Sequence, residues 1–161
     1  MTYEALKEMG IVEERTAEIT EIIALVNRAE RDFSTSKLLQ DKDEEWAFAA
    51  AYLAMARSAR ALILAEGLRP KGVRGRDAHK TVVTAAGVLL GKQYKSLINK
   101  FDRMRRKYQS FLEDANRIIS RYEAGQAIKD AEEFVNLVNS RIREKYSQMS
   151  LLNDVPQLVS R

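Results

Sequence analysis

The densest positive charge in the chain lies in one short segment that contains Arg103, Arg105, Arg106 and Lys107. Guanidinium groups match the geometry of phosphate oxygens, and a lysine ammonium adds a point charge beside them. Clustered cations also raise the local electrostatic potential, which attracts anions. The segment therefore predicts a contact with the phosphates of RNA or of a nucleotide. In the alternative interpretation, an exposed cation such as Arg106 is simply solvated.

A second basic stretch, residues 68–80, contains five Lys and Arg residues against one Asp. Its glycines would let the backbone approach an anion, and a helix that begins near Arg76 would present free amide groups there. The candidate anion ligands in this stretch are Arg69, Lys71, Arg74 and Arg76. An ordinary solvated connector is the alternative interpretation.

The one histidine of the chain, His79, lies in the first turn of the helix predicted after this stretch. An imidazole has an ordinary pKa of about 6.5, so it can carry a proton or contact a phosphate near neutral pH. A histidine near the start of a helix can equally be a capping or packing residue. His79 is therefore a candidate RNA or nucleotide ligand whose role the sequence leaves open.

The composition excludes several classes of chemistry. The chain has no cysteine and one histidine, which excludes disulfides, thiol catalysis and thiolate or histidine-rich metal sites within one protomer. We therefore expect no metal and no cofactor. The N-terminal segment has acidic residues and no long apolar run, which indicates neither a signal peptide nor a membrane span. We expect a cytoplasmic protein that does not contact membranes.

The net charge of +4 is unevenly distributed along the chain. Residues 1–45 contain 6 Lys and Arg against 12 Asp and Glu, residues 46–121 contain 16 against 5, and residues 122–161 contain 5 against 6. A basic middle segment favours an anionic partner. Alternatively, the acidic first segment folds back and neutralises the basic middle within one protomer.

Apolar residues spaced three and four apart predict the helices that would position these side chains. The longest spans residues 94–122, and Arg105 and Gln109 border its apolar face. Further helices are expected at 12–39, 44–66, 77–90 and 126–146, with a short helix before Gly10 and a turn at Ala124 and Gly125. No strand alternation is visible. The predicted fold is all-α, an antiparallel bundle of about five helices forming one domain over 1–161, with a core at 12–146 and a flexible tail at 147–161.

Three stretches, in this order, resemble HEPN domains, which are small helical bundles of prokaryotic toxin–antitoxin and defence systems. They are AYLAMARSARALILAEG at 51–67, RPKG at 69–72 with HKTVV at 79–83, and MRRKYQSF at 104–111. The segment AIKDAEEFVNLV at 127–138 is also of the family's kind. The resemblance covers about residues 15–146 and implies a helical bundle that forms a homodimer.

Active members of that family are metal-independent ribonucleases, in which an arginine is followed, four to six residues later, by a histidine in a cleft shared by two protomers. The resemblance places this motif at Arg103 or Arg105 onward, where Tyr108 and Gln109 stand instead of the histidine. A glutamine cannot take up a proton, and a tyrosine with an ordinary pKa of about 10 is a poor base at neutral pH. We therefore expect a member without catalytic residues, in which Gln109 lies at the rim of a cleft.

These observations lead to three functional hypotheses. The first is a non-catalytic module that binds RNA or a nucleotide through its basic helix. The second is docking of an acidic or nucleotidyltransferase-type protein partner on the basic face, as family members often pair with such proteins. The third is metal-independent RNA cleavage by Arg103 or Arg105 with Tyr108, Gln109 or His79. The first hypothesis predicts strongly salt-dependent RNA binding.

Overall fold

The computed structural model describes residues 3–71, 76–116 and 118–146. Its helices and strands follow one another as α1 (Tyr3–Glu8), β1 (Val12–Glu14), α2 (Ile19–Leu39), α3 (Glu44–Ala65), β2 (Leu68–Pro70), α4 (Arg76–Leu90), α5 (Lys95–Glu113) and α6 (Arg121–Lys145). A single 3-10 turn, Lys92–Tyr94, joins α4 to α5. The all-α bundle is confirmed. The predicted tail at 147–161 lies outside the described residues.

The central helix of the bundle is α3. Its many alanines let neighbouring helices approach closely, and α2, α4, α5 and α6 all pack against it. At its start the carboxylate of Asp43 accepts a hydrogen bond from the amide of Trp46 at 3.0 Å, as a helix cap does. At its end Gly67 has a φ of +74°, which favours glycine and ends the helix. The prediction of a helix over 44–66 is confirmed.

Within the described part of the chain, α3 is also the one helix that is long and apolar enough to cross a membrane by length and composition. Most of it is buried inside the bundle, where its apolar surface contacts other helices. The apolar composition of α3 is therefore typical of a helix in the core of a helical bundle.

Three aromatic rings join α3, α5 and α6 at the centre of the core. The ring of Phe101 lies 6.0 Å from that of Tyr52 and 5.0 Å from that of Phe134, measured between centroids. All three side chains are fully buried. Burial of such side chains contributes about 1.5–3 kcal/mol each to folding. The contact fixes α5, which carries the arginine cluster, against the central helix.

A short antiparallel pair, β1 with β2, lies where the sequence indicated no strand. Val12 pairs with Pro70 and Glu14 with Leu68. The side chains of Val12 and Leu68 are buried, and proline at position 70 favours an extended backbone before it. The predicted helix over 12–39 therefore begins late, at Ile19, because the residues around Val12 pair with β2 instead.

The predicted long helix over 94–122 is wrong at its C-terminal end. Helix α5 ends at Glu113, and the carboxylate of Asp114 accepts a hydrogen bond from the amide of Asn116 at 2.9 Å. Such a side-chain turn competes with helix continuation. Helix α6 then begins with a capping box, in which Ser120 and Glu123 each accept from the other's amide, at 3.1 and 2.8 Å. The apolar period continues across this break, so periodicity alone did not reveal it.

The predicted turn at Ala124 and Gly125 is also wrong, and the predicted helix 126–146 begins five residues earlier, as α6. Both residues lie in its second turn, where Ala124 is fully buried. The cap at Ser120 starts the helix before the glycine is reached. As a result, the basic segment of α5 faces the first turns of α6.

Candidate functional site

The four cations of the arginine cluster have different surroundings on α5. Side chains turn by about 100° per residue along a helix, so neighbours in sequence face different directions. Arg103 and Arg106 are exposed, Lys107 is half-buried, and Arg105 is only 9% exposed. The cluster therefore does not present one continuous cationic face.

The guanidinium group of Arg105 is engaged within its own helix. Its Nε donates to the Asp102 carboxylate at 2.8 Å, and its Nη1 donates to the Gln109 side-chain oxygen at 3.1 Å. Arg106 also approaches Asp102, at 3.4 Å, but remains 63% exposed. Gln109 therefore holds an arginine in place, and the outward cations of the cluster are Arg103 and Arg106.

An open groove of about 480 Å³ lies between α5 and α6. The buried side chains of Phe48, Met104 and Ala127 give it an apolar base, and the ring of Tyr122, 80% exposed, lines it as well. Its polar lining is formed by Lys100, Arg103, Lys107, Glu123, Gln126 and Asp130. A groove of this size with apolar and cationic walls has the properties of a small-ligand site.

The charges of the groove are partly neutralised. Lys107 forms an ion pair with Glu123, and Lys100 approaches the nearly buried Asp130 at 3.4 Å. Gln126 donates to the same Asp130 carboxylate at 3.1 Å. Within the described residues, Arg103 has no hydrogen bond or ion pair, so the groove holds one uncompensated guanidinium group. Such a group is available to an external anion.

The second basic stretch lies on other elements. Arg69 is on β2 and forms an ion pair with Glu13 of β1, while Lys71 follows β2 and is exposed. Strand β2 packs against α3 and α4. Arg74 lies outside the described residues, and of Arg76 only the backbone at the start of α4 is described. The stretch is thus separate in the fold from the groove between α5 and α6.

His79 is hydrogen-bonded to a buried tyrosine. Its Nδ1 lies 2.6 Å from the hydroxyl oxygen of Tyr52, and the two rings are stacked with centroids 5.8 Å apart. Burial lowers the pKa of His79 below its ordinary value, and the positive charges of Arg60 and Arg105 lower it further. His79 is therefore a packed, neutral imidazole at pH 7 that lies near two guanidinium groups.

Tyr108 stands where the resemblance would place a histidine. Its ring packs on Tyr52 with centroids 4.6 Å apart and lies 6.1 Å from the ring of His79. Burial raises the pKa of Tyr108, which keeps its hydroxyl protonated. The fold thus gathers Tyr52, His79 and Tyr108 from three helices, and of these three only Tyr52 had no place in the functional hypotheses.

Sequence reasoning did not include Tyr52 or Arg60 among the candidate residues. Both lie on α3, eight positions apart, in a stretch that is otherwise mostly alanine and aliphatic residues. An aromatic hydroxyl and a guanidinium group on such a helix need polar partners when they are buried. A polar side chain on this apolar helix therefore indicated that a polar partner lay nearby. The partner of Tyr52 is His79, on α4.

Metal ligation has no visible basis in the described ranges 3–71, 76–116 and 118–146. They contain no group of three or more His, Cys, Asp or Glu side chains placed to hold a metal ion.

Comparison with known proteins identifies the family. The model of the HEPN domain matches residues 22–142, well over half of the chain. No curated protein and no solved structure matches the chain significantly. The matched range runs from α2 to the last turn of α6 and includes the whole groove and the Tyr52, His79 and Tyr108 cluster. The chain belongs to the HEPN domain family.

Proposed function

We propose that this HEPN domain binds RNA or a nucleotide, without cleaving it, in the groove between α5 and α6. The observation that carries the proposal is the exposed guanidinium group of Arg103, which has no partner among the described residues and lines an open groove. Arginine binds phosphate through paired hydrogen bonds. A toxin–antitoxin or defence system is the cellular context that we propose for this activity.

The lining of the groove suits the two parts of a nucleotide. A phosphate placed at Arg103 would also face Lys100 and Lys107, which line the same groove. The exposed ring of Tyr122 offers a surface on which a base can stack, an interaction worth about 1–3 kcal/mol. Neither contact distinguishes one base from another, so we expect binding with little sequence preference.

The surroundings of Tyr108 and Gln109 support binding without cleavage. Gln109 accepts a hydrogen bond from Arg105 and has no titratable group, while the raised pKa of Tyr108 disfavours its action as a base. Arg105 itself is engaged by Asp102 and Gln109. Cleavage of RNA by purified protein, lost when Arg105 is changed to Ala, would instead support the ribonuclease alternative.

The test is RNA binding by wild-type and variant proteins, measured by fluorescence anisotropy with a labelled single-stranded oligoribonucleotide at low salt. We expect Arg103→Gln to weaken binding by about tenfold or more, the loss typical of a hydrogen bond to a charged group. Arg31→Gln is the matched control, because Arg31 is an exposed cation on α2. Equal affinity of Arg103→Gln and Arg31→Gln would contradict the proposal.

Docking of a protein partner is the second candidate function, and one observation favours it. Five exposed apolar side chains lie near the end of the bundle where α2 meets α3 and α5 meets α6: Leu38, Trp46, Leu112, Ile118 and Tyr122. The Trp46 ring contacts Phe111 across this end, with centroids 5.8 Å apart. Exposed apolar clusters mark interaction surfaces. We call this set the end patch.

We propose a second copy of the chain as the occupant of the end patch. A nucleotidyltransferase-type protein is the alternative partner, and it would be distinguished by co-purification with the product of a neighbouring gene. Partner docking and RNA binding can be separated by substitution, since Leu112 and Ile118 belong to the end patch and do not line the groove.

A further inference from the structure

Four side chains, from α3 and α5, lie around the imidazole of His79 on α4. Tyr52 and Arg60 come from α3, His79 from α4, and Arg105 and Tyr108 from α5. We call them the imidazole cluster. None of them lines the groove between α5 and α6.

The hydrogen bond with Tyr52 occupies one ring nitrogen of His79, Nδ1. Tyr52 is fully buried, and burial raises the pKa of its phenol, so the hydroxyl stays protonated. A neutral imidazole has one acceptor nitrogen and one donor nitrogen. Nε2 has no hydrogen bond within the described residues, and it carries a proton both in the tautomer whose Nδ1 accepts from Tyr52 and in the imidazolium form. His79 therefore offers an N–H donor to a group on its other side.

The positive charge around this donor is incompletely neutralised. No ion pair of Arg60 occurs in the described part of the chain, unlike Arg57 one turn earlier, which pairs with Asp32. Arg105 uses Nε and Nη1 for Asp102 and Gln109, so its second terminal nitrogen, Nη2, has no hydrogen bond within the described residues. Burial is the main cause of the lowered pKa of His79, and the charges of Arg60 and Arg105 lower it further. This positive potential is the one expected at a site that attracts an anion.

The cluster is accessible to a small ligand from solvent. His79, Arg60 and Tyr108 are each partly exposed, whereas Tyr52 and Arg105 are buried beneath them. The buried ring of Tyr52 contacts the rings of both His79 and Tyr108 and so limits their movement, as a binding site requires.

We propose that the imidazole cluster binds a tetrahedral oxyanion, the phosphate group of a small phosphate compound or of RNA, through Nε2–H of His79 and the guanidinium groups of Arg60 and Arg105. The site is independent of the groove: a phosphate there would be held without Arg103. At this site His79 and Arg60 bind the ligand, and neither residue lines the groove.

Anion binding at the cluster changes the protonation of His79. Within the described residues, the charges that act on the ring come from Arg60 on α3 and Arg105 on α5, and a bound dianion would oppose both. The imidazolium form would then be favoured, so the pKa of His79 would rise. By linkage, the anion would bind more tightly as the pH falls toward the pKa of His79 in the complex.

The experiment is an NMR pH titration of the imidazole, whose signals are unambiguous because the chain has one histidine. The titration is run in sodium sulfate and in sodium chloride at equal ionic strength, since sulfate is a tetrahedral dianion that does not itself titrate in this range. We expect a pKa below 6.5 in chloride and a value higher by about half a pH unit or more in sulfate. Arg60→Gln should raise the pKa in chloride and remove most of the sulfate effect, while Arg31→Gln should change neither.

Further titrations separate the sources of the phosphate and the two proposed sites. The sulfate effect should persist in Arg103→Gln, even though this variant loses RNA binding in the groove. Inorganic phosphate alone should reproduce the effect if the ligand is a free phosphate compound, whereas an effect of an oligoribonucleotide that persists in Arg103→Gln would identify RNA. Equal pKa values in sulfate and chloride, or an undiminished sulfate effect in Arg60→Gln, would overturn the proposal.

Discussion

Arg103 and Arg105 are two residues apart on α5, and their guanidinium groups have opposite surroundings. About 200° of rotation separates them on the helix, so Arg105 turns inward to Asp102 and Gln109 while Arg103 lines the groove. The sequence identified the cluster, and helical geometry could place Arg105 at the border of the apolar face. It did not show which cation lacks a partner, because Glu123 and Asp130, the partners of Lys107 and Lys100, come from another helix.

The pairing of His79 with Tyr52 illustrates a second limit at the residue scale. The two residues are 27 positions apart and on different helices, so their hydrogen bond depends on how α4 packs against α3. From the sequence, capping or packing and catalysis were both open for His79. The hydrogen bond and the stacked ring make it a packed residue, and its role as a ligand stays a prediction.

The ion pair between Asp32 on α2 and Arg57 on α3 can be tested by substitution. The nearly buried carboxylate of Asp32 forms ion pairs with Arg57 and, at 3.3 Å, with Arg28. Asp32→Asn leaves Arg57 without a counter-charge, and because Arg57 is partly exposed we expect a loss of about 1–3 kcal/mol in the free energy of unfolding. Urea denaturation measures this loss.

Asp41→Asn is the control for that experiment. Asp41 pairs with Arg121 at 2.6 Å, but both side chains are about three-quarters exposed. Exposed ion pairs contribute about 0–1 kcal/mol, so this variant should be nearly as stable as the wild type. Equal losses in the two variants would show that burial does not control the strength of these pairs.

Among the elements, α3 was predicted almost to the residue, whereas the boundary between α5 and α6 was not. The start of α3 has a clear cap at Asp43 and its end has Gly67, both visible in the sequence. At the other boundary, Ile118 and Tyr122 continue the apolar period although both are exposed. The capping box of Ser120 and Glu123 was the overlooked signal.

The pairing of β1 with β2 could not be predicted, since two three-residue strands far apart in sequence carry almost no periodicity.

Gly125 distinguishes the observed helix from the predicted turn. In α6 a Cβ at this position would meet only the side chain of Gln40, at 3.4 Å. Gly125→Ala should therefore raise the free energy of unfolding by about 0.5–1 kcal/mol, because alanine is the better helix former. Thermal or urea denaturation provides the measurement.

Gly67→Ala is the contrasting variant. The φ of +74° at Gly67 disfavours any residue with a Cβ, so this substitution should lower stability by about 1–2 kcal/mol. If Gly125→Ala were destabilising to the same degree, the glycine would be in a turn and α6 would begin later than Arg121.

At the scale of the whole molecule, the end patch predicts self-association. We expect a dimer whose dissociation constant rises when Leu112 and Ile118, 63% and 78% exposed, are both changed to serine. Analytical ultracentrifugation over a range of concentrations measures this equilibrium. Met9→Ser is the control, because Met9 is 57% exposed but lies after α1, outside the end patch. A wild-type chain that stays monomeric at high concentration would contradict the prediction.

The distribution of charge along the chain has a partial explanation in the folded molecule. Acidic residues of the first segment do neutralise some of the basic middle, as Asp32 does with Arg57 and Glu13 with Arg69. Neither pair involves α5, whose cations pair with carboxylates of α5 and α6 instead. Folding back of the acidic segment and an anionic partner are therefore compatible, and the groove is the site that we propose for that partner.

The most direct test of RNA binding in the groove is the salt dependence of the dissociation constant for single-stranded RNA, for wild type and for Arg103→Gln. Each phosphate neutralised contributes about 0.7 to the slope of log K against log salt for a single strand. We predict measurable binding at about 50 mM salt, a steep loss toward 200 mM, and a slope reduced by about 0.7 in Arg103→Gln. No binding at low salt, or the same slope in the variant as in the wild type, would contradict the account.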